Sequence, residues 1–325
     1  MSPGALKRRD VLIWTVALVA LALAAPYFLY PIFLMRALCL ALFACAFNLL
    51  LGYVGLLSFG HAAFMGSAAY ITAQTAKMWG WPPELAILGG VAVAAALGLV
   101  FGWLAIRRQG IYFAMITLAL AQMIAFFALE APFTGGEDGI QAVPRGHLFG
   151  FISLDSTYVM YYFVLAIFLA GFALIERTVN SPFGQVIKAI RENEPRATSL
   201  GYRAERYKLL AFVLSAALAG LAGSTKCLVL QFASLTDVDW TTSGQVVLMT
   251  LVGGVGTPLG PVVGAFIIVT MENYLAQTGS WVTIIEGIIF VICVLTFRSG
   301  VVGVLTPYLT RRPPQAASEP SAETP

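Results

Sequence analysis

Long apolar stretches alternate with short polar segments along most of the chain. An α-helix needs about 20 apolar residues to cross the hydrocarbon core of a bilayer, and most of these stretches reach that length. Ten candidate helices begin near Val11, Ile32, His61, Glu84, Ile111, Thr157, Lys208, Gly244, Pro258 and Trp281. The eighth is short and ends in a glycine-rich run. The pattern predicts an all-α, polytopic integral membrane protein with about ten transmembrane helices.

The first candidate helix follows Lys7-Arg8-Arg9 and in this respect is similar to a signal peptide. Residues 11–29 are longer than the apolar part of a typical signal peptide, and similar segments follow, so we interpret them as a retained helix. The predicted organisation is a cytoplasmic N-terminus at 1–10, a transmembrane domain at 11–300 and a cytoplasmic tail at 301–325. The tail is rich in Pro, Ser, Ala and Glu, which predicts disorder.

Composition agrees with a membrane protein. Hydrophobic residues make up 59% of the chain and charged residues 11%, and the mean hydropathy is +0.85. A soluble domain carries about 25% charged residues. The net charge of +3 comes from short basic clusters between apolar stretches, which is typical of orientation signals in membranes rather than of nucleic-acid binding.

The positions of the basic residues predict the orientation. With an even number of crossings and a cytoplasmic N-terminus, the outer segments carry only Lys77 and Arg145. Arg36 and Lys226 fall within spans. The inner segments carry Lys7, Arg8, Arg9, Arg107, Arg108, Arg177, Lys188, Arg191, Arg196, Arg203, Arg206, Lys208, Arg298, Arg311 and Arg312. This asymmetry follows the positive-inside rule and places both termini in the cytoplasm.

Motifs for catalysis, metals and nucleotides are missing from the sequence. The four cysteines lie in apolar stretches without Cys-x-x-Cys spacing, and His-Glu-x-x-His is absent. The glycine-rich stretch 253–265 lacks the Gly-Lys-Ser/Thr end of a Walker A loop and is interpreted as a break between two helices. We therefore predict no catalytic residue, metal site or cofactor. Lys226 and Glu286 are ionisable residues within spans that could pair.

A polar and glycine-rich run interrupts the second apolar stretch between Asn48 and His61. Its polar and small residues can break a helix inside the membrane, and the exposed backbone must then be buried in protein or face a water-filled path. We interpret the run as the lining of a solute path; close packing of small residues is the alternative. The residues concerned are Asn48, Gly52, Tyr53, Gly55, Ser58 and Phe59, with Thr117 from the stretch 110–118.

The long inner segment at 178–207 has the pattern of a short amphipathic helical hairpin. Ser181-Pro182 is typical of a helix start, and an apolar stripe follows on one face. Glu194-Pro195 begins a second turn that Gly201 can end. Such a hairpin can lie passively in the lipid interface or dock a cytoplasmic partner, and its sequence leaves both open. The stripe consists of Phe183, Val186, Ile187 and Ile190, whereas Lys188, Arg191 and Glu192 project elsewhere.

An outer loop at 134–139 combines glycines with acidic residues. Gly135 and Gly136 permit positive φ angles, so that a partner or solute could approach the backbone closely. Glu137 and Asp138 follow directly. A plain turn is the equally weighted alternative.

Together, the stretches 48–64, 110–118, 134–139, 181–201 and 253–265 resemble the permeases of ABC importers for branched-chain amino acids, in particular the M-type permease subunit. The resemblance runs in order through most of the chain. It implies the ABC importer permease fold, a second related permease, two ATPase subunits below and an extracytoplasmic substrate-binding protein above. It also implies an amino-acid substrate and the bacterial inner membrane.

The resemblance assigns roles to particular residues. The segment from Asn48 would line the translocation path, and Gly135, Gly136, Glu137 and Asp138 could contact the binding protein. The family's Glu-Ala-Ala-x-x-x-Gly coupling motif is matched here by Ala197 and Gly201 alone. The residues expected to couple to the ATPase are Ser181, Pro182, Gly184, Lys188, Arg191, Glu192, Asn193, Glu194, Arg196, Ala197 and Gly201.

Three other functions compete with this one. A secondary transporter coupled to protons or sodium would need titratable or oxygen-rich sites in mid-membrane, for which Lys226 and Glu286 are the candidates. An intramembrane enzyme would need the nucleophile or metal constellations that the sequence lacks. A related ABC permease for urea or aromatic acids is the third alternative, because permease sequences distinguish these substrates poorly.

Overall fold

The computed structural model describes residues 22–148, 150–275, 284–285, 287–288, 291 and 300–303. Helices dominate these ranges, and the remainder consists of connections with two-residue strands. The principal helices are α1 (Pro31–Asn48), α2 (His61–Met78), α3 (Pro83–Ala105), α4 (Ile111–Glu130), α5 (Thr157–Asn180), α6 (Pro182–Glu192), α7 (Glu194–Ser199), α8 (Ala204–Leu230), α9 (Trp240–Gly253) and α10 (Gly260–Leu275).

Helix α1 is the central element of the molecule. It packs against α5, α8, α9 and α10, so that almost every side chain after Phe33 is buried except Arg36. It is apolar on all sides, as expected of a helix that meets protein all round.

Helix α8 forms a second packing unit with α2 and α3 through small residues. A Cβ atom on Gly223 would lie 2.0 Å from the carbonyl oxygen of Met65, and one on Gly220 would lie 2.4 Å from the Cβ of Ala94. Such close backbone approach is a common way for helices to associate in membranes, where burial of apolar surface gives little driving force.

Five helical segments are long and apolar enough to cross a membrane: Pro31–Val54, Pro83–Ala105, Ile111–Glu130, Thr157–Asn180 and Ala204–Leu230. Helix α10 is a shorter apolar helix, and α9, with 14 residues, spans only about 21 Å. The architecture confirms the predicted all-α polytopic membrane protein. The candidate helix from Val11, most of the one from Trp281, and nearly all of the tail at 301–325 lie outside the described residues.

Two small ladders lie at the end of the molecule opposite to α6 and α7. Strand β1 (Ile140–Gln141) pairs antiparallel with β4 (Phe232–Ala233), with Ile140 opposite Ala233. Strand β2 (His147–Leu148) pairs with β3 (Ile152–Ser153), with His147 opposite Ser153. The first ladder joins the α4–α5 connection to the α8–α9 connection. We call the end of the molecule that carries these strands the ladder end, and the end that carries α6 and α7 the hairpin end.

Candidate functional site

The helical structure is interrupted between α1 and α2, as the polar and glycine-rich run predicts. We call this interruption, at residues 55–60 and the turn before them, the first break. Helix α1 continues as a π-helical turn, Leu49–Val54, and ends at Gly55, whose φ angle of 82° favours glycine. The N–H groups of Gly55 and Leu56 both donate to the carbonyl of Leu50, at 3.0 and 3.2 Å. Residues 55–60 are not helical, and α2 begins at His61.

Side chains from α4 and α9 satisfy the backbone of this first break. The N–H of Phe59 donates to Thr117 Oγ1 at 3.2 Å, and the N–H of Ala62 donates to Ser243 Oγ at 2.9 Å. Ser58 Oγ accepts from the N–H of Gly60 at 3.2 Å. The structure thus brings Ser58, Phe59 and Thr117 together, as the prediction of a shared site requires. Ser243 was missed because a serine inside a helix carries no sequence signal for this partner.

The second break lies between α9 and α10 and touches the first. Asn48 joins them: its Oδ1 accepts from the N–H of Gly256 at 2.9 Å, and its Nδ2 donates to the carbonyl of Thr257 at 3.0 Å. A Cβ atom on Gly52 would lie 2.7 Å from the backbone nitrogen of Gly256. Asn48 is 3% exposed, and both the oxygen and the nitrogen of its side-chain amide are hydrogen-bonded to the loop between α9 and α10.

The hairpin of α6 and α7 has the caps that its sequence predicts. Ser181 Oγ accepts from the N–H of Gly184 at 3.2 Å, and Asn193 Oδ1 accepts from the N–H of Arg196 at 3.0 Å. Gly201, with φ 92°, follows α7, and Tyr202 N–H donates to the carbonyl of Ala197 at 3.2 Å. These contacts close both helices.

The apolar stripe of α6 faces the rest of the protein. Ile187 and Ile190 are buried, and Ala197 joins them from α7. The ring of Phe183 stacks on that of Tyr207 at 5.7 Å between centroids. The predicted amphipathic hairpin is confirmed in its geometry.

Several polar residues of the hairpin also face the protein. Lys188 Nζ lies 5.6 Å from the centre of the Tyr53 ring, and Arg191 Nη1 donates to the carbonyl of Gly52. Glu194 pairs with Lys208 at 2.7 Å and accepts from Gln109 Nε2 at 2.6 Å. Lys188, Arg191 and Glu194 thus join the hairpin to the protein. Arg191 remains exposed despite this contact, as are Gln185, Glu192, Asn193 and Arg196.

An open groove of about 760 Å³, lined by polar and apolar groups alike, lies beside the hairpin. Its walls include Gly55 at the first break, Arg191, Glu192 and Glu194 from the hairpin, and Lys208 from α8. The groove leaves open space between the hairpin and the first break.

At the ladder end, the glycines of the loop at 134–139 form a tight turn. Gly135 and Gly136 have φ angles of 80° and 59°. A Cβ atom on Gly135 would lie 2.3 Å from the carbonyl oxygen of Gly139. The side chains of Glu137 and Asp138 are exposed beside this turn. The loop therefore presents two acidic groups beside a tight turn that requires glycine.

Two ion pairs lie within the described helical body. Lys226 Nζ lies 2.5 Å from Asp237 Oδ1, and Arg36 Nη2 lies 2.8 Å from Glu272 Oε2. The pairing that the sequence suggested for Lys226 was with Glu286, which lies outside the described residues. Asp237 lies in the α8–α9 connection and is buried beside α2.

His61 contacts Ser215 rather than the neighbouring Ser58. Its Nε2 lies 2.9 Å from Ser215 Oγ, which donates to the carbonyl of Ala46 at 2.5 Å. The edges and faces of Phe47, Phe64 and Phe212 surround the imidazole ring. The hydrogen bonds of His61 and Ser215 therefore link α2 and α8 to α1.

One polar residue that the sequence analysis passed over lies on α4. Gln122 is exposed in the middle of this apolar helix, on the face that carries Met115 and Ala119. An amide facing lipid at that depth is costly, so the position favours contact with protein or a solute path. Its signal in the sequence is a lone amide within an otherwise apolar span.

The comparisons with known proteins agree with these features. A family described as branched-chain amino acid transport system / permease component matches residues 30–294. The LivM permease protein of the high-affinity branched-chain amino acid transport system of Salmonella typhimurium is 26% identical over 84% of this chain and 69% of its own. Its Escherichia coli counterpart is 27% identical over 81% and 67%.

A more distant relative is the ribose import permease protein RbsC of Bacillus subtilis, 29% identical over 55% of this chain and 58% of its own. No solved structure matches the chain significantly. The family match extends through both helix breaks and the hairpin. The chain therefore belongs to the branched-chain amino acid transport system permease family.

Proposed function

We propose that the chain is the transmembrane permease subunit of an ATP-driven importer of branched-chain amino acids, forming half of the translocation path. The observation that carries the proposal is the family match over residues 30–294, together with LivM relatives that align along more than four fifths of the chain. ATP hydrolysis belongs to partner subunits, since the sequence has no Walker A loop.

The two touching helix breaks are the proposed wall of the path. Residues 55–60 leave the helical pattern beside Thr117, and the loop that Asn48 holds lies next to Gly52. Tyr53 and Phe59 border this region, and Asn48 contributes through the loop because its own amide is engaged. Non-helical backbone at membrane depth is typical of transporter sites, where it can meet the charged ends of an amino acid.

The face of α4 that carries Gln122 is the proposed contact with the second, related permease. An exposed amide in mid-span suits a surface that another protein covers or a solute passes. The path then lies between the two permeases, and each supplies one side.

The hairpin end is the proposed docking site for the two ATPase subunits. Glu192, Asn193 and Arg196 are exposed there, while the apolar stripe anchors the hairpin to the protein. The acidic turn at Glu137 and Asp138 is the proposed contact for the substrate-binding protein. Both assignments place the hairpin and the two termini in the cytoplasm of a bacterial inner membrane, in agreement with the basic clusters.

An ion-coupled mechanism has less support. Of its two candidate residues, Lys226 is paired with Asp237 at 2.5 Å and Glu286 lies outside the described residues. Proton coupling would need a group that gains and loses its charge during transport.

The test is uptake by the whole transporter in proteoliposomes, assembled with its ATPase subunits, second permease and binding protein. We expect uptake of labelled leucine to require ATP, and unlabelled isoleucine and valine to compete with it. Urea and phenylalanine should not compete at the same concentration. Leucine uptake by the purified chain alone, driven by a proton or sodium gradient, would contradict the proposal.

A further inference from the structure

We propose that Arg191 transmits movement of the α6–α7 hairpin to the two helix breaks, so that it couples ATP hydrolysis to transport without itself binding the ATPase. The inference rests on the proposed function, in which the ATPase docks on this hairpin. It assigns to Arg191 a positioning role that differs from the docking role expected from the sequence.

The direction of the Arg191 side chain carries the argument. Its Nη1 donates to the carbonyl of Gly52, 139 residues away, in the turn that ends α1. The stem of the side chain lies against Gly55, where a Cβ atom would be 3.0 Å from Arg191 Cγ. Nη1 also lies close to Gly256, at 3.7 Å from the place of a Cβ atom there. One side chain of the hairpin therefore contacts the first break directly and lies close to the second, which Gly52 touches.

The π-helical turn explains why the carbonyl of Gly52 accepts this donor. Near the C-terminus of a helix the last carbonyls have no N–H partner in the following turn, and here two N–H groups converge on Leu50. A guanidinium at this position supplies a donor and a positive charge at the negative end of the α1 dipole.

The Arg191 contact can transmit movement because α6 contacts the first break, and the first break in turn contacts the second. Arg191 stands in the last turn of α6, Gly52 touches Gly256, and Asn48 bonds the loop of the second break. A displacement of α6 must therefore either pull on both breaks or leave the Gly52 carbonyl without its donor. Two discrete arrangements of this kind are what energetic coupling between sites requires. The open groove beside α6 borders the same contact, with Gly55 and Arg191 both in its wall.

Lys188, one turn earlier in α6, makes a second contact with the turn that ends α1, because its ammonium lies over the Tyr53 ring. A cation–π contact tolerates sliding of the charge across the ring, whereas a hydrogen bond to a carbonyl is directional. We therefore assign the transmission to Arg191 and a steadying contact to Lys188.

The experiment compares Arg191→Ala with Arg196→Ala in the assembled transporter. Both variants remove one exposed arginine from the hairpin, and the difference between them is that the Arg191 guanidinium donates to the Gly52 carbonyl. Two quantities are measured: the ATPase retained on co-purification, and the ATP hydrolysed per leucine transported in proteoliposomes. We expect R191A to retain the ATPase and to raise the ATP-to-leucine ratio about tenfold, within the range that coupling residues commonly control. R196A should weaken ATPase retention and leave the ratio of the assembled fraction unchanged.

Arg191→Lys should restore most of the coupling, because a lysine can still donate to the Gly52 carbonyl. Should R191A fail to assemble, Arg191→Gln keeps the stem against Gly55 and removes the charge, and the same rise in ratio is expected. An unchanged ratio in R191A or R191Q would overturn the inference. Loss of ATPase retention in R191A, with a normal ratio in what remains assembled, would also overturn it and return Arg191 to docking. If R196A and other exposed hairpin variants kept full retention, the docking proposal would fail instead.

Discussion

At the scale of single residues, the buried ion pair of Lys226 and Asp237 shows how tertiary structure decides the role of a charge. The side chains are 15% and 7% exposed, so each needs the other. Removing one partner of a buried pair leaves an uncompensated charge and costs more than removing both.

We expect Lys226→Met to destabilise the protein by about 3 kcal/mol. The double variant K226M/D237L should recover most of that loss, because it removes both charges. The apparent melting temperature of the purified protein in detergent measures both effects. Equal melting temperatures for the single and double variants would show that the pair has no structural role.

Asn48 is the second residue whose environment makes a sharp prediction. Asn48→Leu leaves the N–H of Gly256 and the carbonyl of Thr257 without their partner, at about 1–3 kcal/mol for each buried group. We expect a lowered melting temperature together with loss of leucine uptake. Asn273→Leu, on an exposed position of α10, is the matched control and should change neither. Normal uptake in N48L would remove the second break from the transport path.

At the scale of elements, the fit between the two breaks depends on Gly52. A Cβ atom there would lie 2.3 Å from Asn48 Oδ1 and 2.7 Å from the nitrogen of Gly256, which is backbone and cannot rotate away. Gly52→Ala should therefore separate the breaks at a cost of about 1–3 kcal/mol, as overpacking commonly does.

Gly244→Ala is the control for this substitution. Gly244 lies within α9 and has open space where a Cβ atom would be placed, so alanine should be neutral or stabilising by less than about 1 kcal/mol. Melting temperature and leucine uptake are measured for both variants. Equal behaviour of G52A and G244A would show that the breaks do not need to touch.

The sequence predicts the helices well where a capping or breaking residue stands next to them. The helices at His61 and Thr157 begin at the predicted residue, because Gly60 and Ser156 interrupt the apolar pattern just before. Helix α8 begins at Ala204, four residues before the prediction at Lys208, because the charged residues of its first turn hide the start. Helix α9 begins at Trp240, capped by Asp239, rather than near Gly244.

The contacts that define the site are beyond the sequence. Asn48 bonds residues more than 200 positions away, and Arg191 bonds one 139 positions away. Periodicity reports which face of a helix is apolar but not which polar group on another helix it meets. The inward direction of Arg191 could therefore not be predicted, although its hairpin could.

At the scale of the whole molecule, orientation is the next property to test. The basic clusters and the proposed docking sites place the hairpin in the cytoplasm and the ladder end outside. A cysteine replacing Gln185 on the hairpin should be protected from a membrane-impermeant maleimide in intact cells, and one replacing Asp138 should react. Cys39, Cys45 and Cys227 are buried, and Cys293, which lies outside the described residues, is replaced by serine in both variants. Labelling of the hairpin position from outside would reverse the orientation.

The same two cysteines give the most direct test of the central claim, which is that a permease without a nucleotide site is driven by an ATPase held at its hairpin. In membranes that contain the assembled transporter, a short bifunctional thiol-to-amine reagent is applied, and adducts are identified by mass. We predict an adduct of the Gln185→Cys variant with the ATPase subunit and none of the Asp138→Cys variant. ATPase adducts from the Asp138 position, or none from Gln185 in a transporter that still takes up leucine, would contradict the account.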